Sequence, residues 1–181
     1  MSNLKALKEV CLAPYIMIAT GLIGVSRKAG GNQFRHQFAT LGILIDYKYC
    51  DDPVLLKASV LHDLVEDYNG SERLVEIRNV DKDGPEVVDL ILEVSKSKTE
   101  TKEVYLERLL KNGSDRAKIL KCADRISNLT DLHLDTHTSG KIAHYLDQTE
   151  IYILPMAKEV NIDFEKELID LIKQRRKLCE K

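Results

Sequence analysis

The stretch LLKASVLHDLVED, residues 55–67, constrains the chain more than any other. It sets three carboxylates and an imidazole into a mainly apolar run. A helix brings residues four apart onto one face, which groups His62 with Glu66 and Asp63 with Asp67 in one sector. Ala58, Leu61, Leu64 and Val65 surround that sector. Burying such charges among apolar side chains is costly unless something compensates them. A divalent cation does so, and His62-Asp63 offers it one nitrogen and one oxygen. A solvated acidic face ending at the turn signal Tyr68-Asn69-Gly70 also fits these residues alone, because an HD dipeptide arises by chance in many chains.

The rest of the chain reads as helices. Residues 2–24 form one, broken near Pro14, and the basic loop Ser26-Arg27-Lys28-Ala29-Gly30-Gly31-Asn32 follows. Phe34, Phe38, Leu41, Ile45 and Tyr49 predict a helix over residues 33–49, with His36 near its start. Asp51-Asp52-Pro53 opens the next, with Asp as N-cap and Pro at the first position. The loop Asn69-Gly70-Ser71-Glu72 supplies another N-cap. Helices over 72–79 and 84–97 flank the polar Asp81-Lys82-Asp83-Gly84-Pro85, and a further one covers 103–111. Asn112-Gly113 closes that helix and Ser114 opens the next, 115–129. There Ile119, Leu120, Ala123 and Ile126 make the apolar side, while Asp124 and Asn128 share a polar one. His133 and His137 stand four apart, but Thr136, Thr138, Ser139 and Gly140 argue for a loop rather than a ligand-bearing helix. Residues 141–160, with a possible kink at Pro155, and 164–178 complete the series.

Composition sets the class. The chain has 181 residues, 44% hydrophobic and 31% charged, with net charge −2, four Pro and nine Gly. This favours one all-α domain over a turn-rich β fold, and argues against a nucleic-acid coat or a membrane-surface protein. The uncharged run 11–25 is shorter than the ~20 residues that span a bilayer, and no A-x-A cleavage pattern follows it. Cys11, Cys50, Cys122 and Cys179 form no CxxC pair, so they read as reduced thiols, which points to the cytoplasm.

Collected in order, His36, His62-Asp63, Glu66-Asp67 and Asp124 with Asn128 make a pattern H…HD…D. The strings SRKAGGNQFRH, LHDLVED and KCADRISNL, with a weaker EIY at 150–152, resemble the HD superfamily of metal-dependent phosphohydrolases. Within it, the chain looks most like the hydrolase domain of the RelA/SpoT proteins and their stand-alone small alarmone hydrolase relatives, including the metazoan SpoT homologues. The likeness runs from about residue 4 to residue 160. It implies a single-domain HD-type bundle of about eight to ten helices spanning 1–181. It also implies His36, His62, Asp63 and Asp124 as metal ligands, and Glu66 and Asp67 as the catalytic acidic pair that handles the attacking water. Arg27 and Lys28 would lie beside a guanine nucleotide, and Asn128 would help hold the sugar. The implied metal is Mn2+, one per chain; the ligand chemistry also admits iron, cobalt or zinc.

Three departures bear on substrate. Tyr68 stands where the family commonly has Thr, Asp131 stands where the long enzymes often have Thr, and residues 95–118 are compact. A chain of 181 residues also leaves no room for a synthetase domain or a regulatory segment. The resulting expectation is a Mn-dependent enzyme that removes the 3′-diphosphate of guanosine tetra- or pentaphosphate. In such chemistry a cation polarises the phosphoryl group and acidifies water, while a carboxylate orients that water. The alternatives are the same chemistry on another nucleotide or phosphorylated cofactor, and a non-catalytic nucleotide sensor. The partner in each case is a small-molecule nucleotide, not nucleic acid or membrane. Oligomeric state is not legible.

Overall fold

The computed structural model describes residues 3–67 and 72–179. Tyr68, Asn69, Gly70, Ser71 and the side chain of Asp67, all singled out above, lie outside the described residues. Among those described the chain is all-α, with no strand. Among the described residues no helix is long and apolar enough to cross a membrane. All four cysteines are free. The residues gather into two compact units, one made of the chain up to Ser26 with Asn32–Ser95, the other of Arg27–Gly31 with the chain from Lys96 onward.

The first unit contains α1 (Asn3–Glu9), α2 (Ala13–Ala19), α3 (Gln33–Asp46), α4 (Pro53–Ser59), α5 (Leu64–Asp67), α6 (Arg73–Arg78) and α7 (Gly84–Val94). The expected helix over 2–24 is three pieces, because Pro14 starts α2 and a 3-10 turn, Thr20–Gly24, extends it. The α3 N-cap is Asn32, whose side chain accepts from the Arg35 amide. Its buried face is His36, Gln37, Thr40, Leu41 and Leu44, rotated from the Phe34–Phe38–Ile45 stripe that periodicity favours. Asp52 caps α4 as expected, accepting from the Leu55 amide at 3.1 Å. Helix α4 packs on α3 and α7, and α6 on α7. Gly84 permits the last of these contacts, since a Cβ there would sit 2.4 Å from the Ile77 carbonyl oxygen.

The expected single helix over 55–67 is corrected. Helix α4 stops at Ser59 and α5 starts at Leu64, with a tight turn between them. The amides of Leu61 and Leu64 donate three residues back, to Ala58 and Leu61. The His62 ring takes the Ser59 carbonyl at 2.7 Å, an oxygen that a continuous helix would give to the amide four residues on. His62 and Asp63 therefore sit in a turn, and the stagger of four toward Glu66 is not that of one helix.

An ion network centred on a buried lysine holds this unit together. Lys57 on α4 is 3% exposed and donates to Asp81 at 2.7 Å and Asp83 at 2.6 Å. The Tyr15 hydroxyl also donates to Asp81, at 2.7 Å. Burial works to raise the Asp81 carboxyl, but hydrogen bonds from Lys57, Tyr15 and the Asp83 amide hold it below its ordinary value. Burial works to lower the Lys57 ammonium, and its two carboxylate partners raise it overall. A depressed carboxyl contributes stability above its unfolded pKa, lost as pH falls through the folded one. A raised ammonium contributes stability below its unfolded pKa, lost as pH rises through the folded one. The network is thus fully stabilising between the unfolded carboxylate and ammonium pKa values, about 3.9 to 10.4. Lys57→Ala is expected to lower unfolding stability at neutral pH by about 1–3 kcal/mol, because it leaves two half-buried carboxylates without their cation. Chemical denaturation checks this, and a loss well under 1 kcal/mol would mean that solvent already screens the pair.

The second unit contains α8 (Lys102–Asn112), α9 (Asp115–Asp131), α10 (Ser139–Gln148), α11 (Leu154–Val160) and α12 (Ile162–Arg176). Thr101, Ser114, Thr138 and Asn161 cap α8, α9, α10 and α12 through side-chain oxygens. Helix α9 packs on α8, α11 and α12. Its last carbonyls, of Leu129 and Thr130, accept from Arg175, each at 2.8 Å. The expected helix over 141–160 is interrupted by a π turn, Thr149–Ile153, and Pro155 falls in the first turn of α11 rather than inside a helix. Arg125 is 1% exposed, stacked 3.9 Å from the Tyr145 ring centroid, and donates to Thr149 Oγ1 at 2.8 Å at the start of that turn.

Candidate metal centre and nucleotide site

Within the first unit, α3 and the turn after α4 bring His36, His62 and Asp63 together. Asp63 Oδ2 lies 3.6 Å from His36 Nε2 and 3.3 Å from His62 Nε2. The two rings meet edge to face at 5.3 Å between centroids. Both histidines are buried, at 2% and 4% exposure. A carbonyl oxygen only accepts, so Ser59 fixes the proton of His62 on Nδ1 and leaves the Nε2 lone pair directed at Asp63. Two buried imidazoles and a partly exposed carboxylate against them form a His/Asp group that could hold a divalent metal, and the fixed tautomer is the one a ligand needs.

Sequence reasoning missed Gln37. Its side chain is fully buried and donates from Nε2 to Asp63 Oδ2 at 3.0 Å. It bonds the same oxygen that faces the two imidazoles and so positions the carboxylate, a supporting contact of the kind that tunes ligands. The available signal was a polar residue four before Leu41 and seven before Leu44, on what is the apolar face of α3. Glu66 lies exposed on α5, so it does not share the environment of His62.

Within the second unit, Asp124 is buried at 4% exposure rather than a surface acid. Its Oδ1 accepts from Asn128 Nδ2 and its Oδ2 from Lys121 Nζ, each at 2.6 Å. Asn128 in turn accepts from Arg27 at 2.8 Å, and Arg27 also pairs with Asp131 at 3.2 Å. Lys121, Asp124, Asn128, Arg27 and Asp131 thus form one continuous polar chain. Burial works to lower the Lys121 ammonium, but the Asp124 carboxylate raises it overall. The loop carrying Arg27 is a tight turn, closed by bonds from the Arg27 amide to Gly31 and from the Gly30 amide to Arg27. Gly30 and Gly31 have φ of +84° and +71°, which only glycine adopts without strain. Arg27 is held inward by its partners and Lys28 stands exposed, so the two adjacent cations have separate environments. Asp131 does add negative charge here, and it spends that charge on Arg27. His133 and His137 are both exposed, and His137 bonds Asp135 at 2.6 Å, in keeping with a loop.

Comparison with known proteins decides the family. The chain is 33% identical over 132 residues to the Drosophila melanogaster guanosine-3′,5′-bis(diphosphate) 3′-pyrophosphohydrolase MESH1, covering 68% of this chain and 70% of that one. The chain belongs to the MESH1 family of HD-superfamily proteins. The human MESH1 is 31% identical over 153 residues, 81% of this chain and 82% of the human one. A solved structure described as a metazoan orthologue of SpoT that hydrolyses ppGpp superposes with a TM-score of 0.76. It covers 96% of this chain and 94% of its own at 24% identity, which establishes the shared fold. No family profile matches the chain.

Proposed function

We propose that this MESH1-family chain is a guanosine-3′,5′-bis(diphosphate) 3′-pyrophosphohydrolase, converting ppGpp and pppGpp with water to GDP or GTP and pyrophosphate. The observation that supports this is Asp63 set against the buried imidazoles of His36 and His62 in a chain of that family. Asp124 is the fourth ligand in this reading, one cation is bound per chain, and manganese is the metal. When bound, the cation supplies Lewis acidity and lowers the pKa of water. The chain's own residues do the rest. Asp63 is held for ligation by Gln37, and His62 by Ser59. Glu66 and Asp67 orient the attacking water and take its proton. Water attacks the phosphorus joined to the 3′ oxygen, the P–O3′ bond breaks, the diphosphate leaves and the 3′ oxygen ends protonated. Arg27 and Lys28 meet the guanine nucleotide and Asn128 the sugar. Residues 1–181 act as one HD-type domain, in the cytoplasm, on a small-molecule nucleotide rather than on nucleic acid or membrane.

The test is incubation of Mn-loaded protein with a panel of nucleotides and phosphorylated cofactors, with products resolved by anion exchange. Pyrophosphate with GDP from ppGpp supports the reading. Faster turnover of another nucleotide transfers the chemistry to that substrate, and turnover of none returns the chain to a nucleotide sensor. Arg27→Ala is expected to raise KM about tenfold or more with a smaller change in kcat, because the contact is present in ground and transition states alike. Steady-state kinetics on the preferred nucleotide reads this. Unaltered KM would reduce Arg27 to a brace for Asn128 and Asp131.

A further inference from the structure

Gln37 is fully buried on α3, yet its amide is only half used. The Nε2 end donates to Asp63 Oδ2 at 3.0 Å. Among the described residues the Oε1 end, also buried, accepts no hydrogen bond. Bracing Asp63 requires the donor alone and leaves the oxygen unexplained. A buried acceptor without a donor is costly, and such atoms are few in folded proteins. This one stands where an acceptor has a use. Around Asp63 Oδ2 are the amide at 3.0 Å, His62 Nε2 at 3.3 Å and His36 Nε2 at 3.6 Å, all carried by the first unit. Ligands side by side on one small octahedral cation, with bonds of about 2.1 Å, stand about 3 Å apart. The amide thus lies against Asp63 at a spacing comparable with that of the imidazoles. A bare carboxylate draws the NH2 end of an amide. A cation on that carboxylate draws the oxygen, and a half-turn of the terminal amide exchanges the two ends without changing its shape. An amide oxygen is a hard, neutral ligand. Manganese favours such oxygens in an octahedral shell, whereas zinc is satisfied by a tetrahedral one.

We propose that Gln37 is a further metal ligand, its amide oxygen joining His36, His62 and Asp63, and that it biases the centre toward manganese and against zinc. This rests on the reading of those three residues as a metal centre. In the metal-free chain Gln37 donates to Asp63 and holds it ready. In the loaded chain it gives its oxygen to the cation.

The experiment is chelator-competition titration of Mn2+ and, separately, of Zn2+ into metal-stripped protein. Wild type is expected to bind both. Gln37→Leu is expected to bind Mn2+ about 10–100-fold more weakly and Zn2+ within about threefold of wild type. Gln37→Glu keeps an oxygen and loses the donor, and is expected to bind Mn2+ at least as tightly as wild type. Equal weakening of both metals in Gln37→Leu overturns the inference, because a residue that only braces Asp63 serves either metal alike. So does loss of Mn2+ binding in Gln37→Glu, and this variant decides the matter if Gln37→Leu fails to fold. Both outcomes leave the centre standing. Failure of wild type to bind either metal overturns the centre itself and this inference with it.

Discussion

His62→Ala and Asp63→Asn are each expected to abolish metal binding, from about one equivalent per chain to near none, and turnover with it. The reason lies in how few groups share the task. His36, His62 and Asp63 converge inside one unit, and Asp63 is the carboxylate that lies against both imidazoles. Removing His62 deletes a ligand whose tautomer Ser59 has fixed. Making Asp63 an amide removes the negative charge while preserving its shape, so the loss reports ligation rather than packing. Gln37→Leu is a graded control. It removes the donor to Asp63 Oδ2 and should weaken metal affinity by about 10–100-fold without eliminating it. Elemental analysis of chelated and reloaded protein measures all three. Full metal content in His62→Ala and Asp63→Asn would place the site elsewhere.

Glu66→Gln is expected to lower kcat by about 10²–10⁴ while metal content and nucleotide affinity stay near wild type. The substitution keeps size and hydrogen-bonding capacity and removes basicity. Glu66 is exposed on α5, so a loss of activity would not come from disturbing the core, and thermal unfolding should be unchanged. Asp67→Asn is expected to behave alike. The break before α5 makes this test sharper. On one continuous helix Glu66 would sit a fixed turn from His62, whereas here a tight turn intervenes, and the kinetic experiment decides its role rather than helical geometry. Release of the metal by Glu66→Gln would make it a ligand. Unchanged turnover by both variants would make the acids a solvated stripe.

Some of this was legible along the chain because it is local. Asp52 and Ser114 announced their helix starts through side-chain oxygens placed three residues before a free amide, and both cap as read. The all-α class followed from repeated apolar spacing with few Gly and Pro. The HD dipeptide and its distant partners could be named because ligand-type residues are rare in buried company. Helix continuity was less legible. Residues 55–67 have helical spacing throughout, yet a buried histidine ring captures the carbonyl that the next helical turn would use, and periodicity counts side chains, not acceptors.

The sequence by itself determined which residues could do the chemistry and that helices would carry them, since both depend on residue type and short spacings. Only the tertiary structure decided the company each residue keeps. It turned the buried face of α3 from Phe34 and Phe38 toward His36 and Gln37, and so set an amide on Asp63 Oδ2. It buried Asp124 between Lys121 and Asn128, and drew Arg27 inward to Asn128 and Asp131 across about a hundred residues of chain. Such pairings between distant residues are chosen by how helices pack and by the cost of leaving a buried polar group unmatched, and neither has a signature in the local order of amino acids.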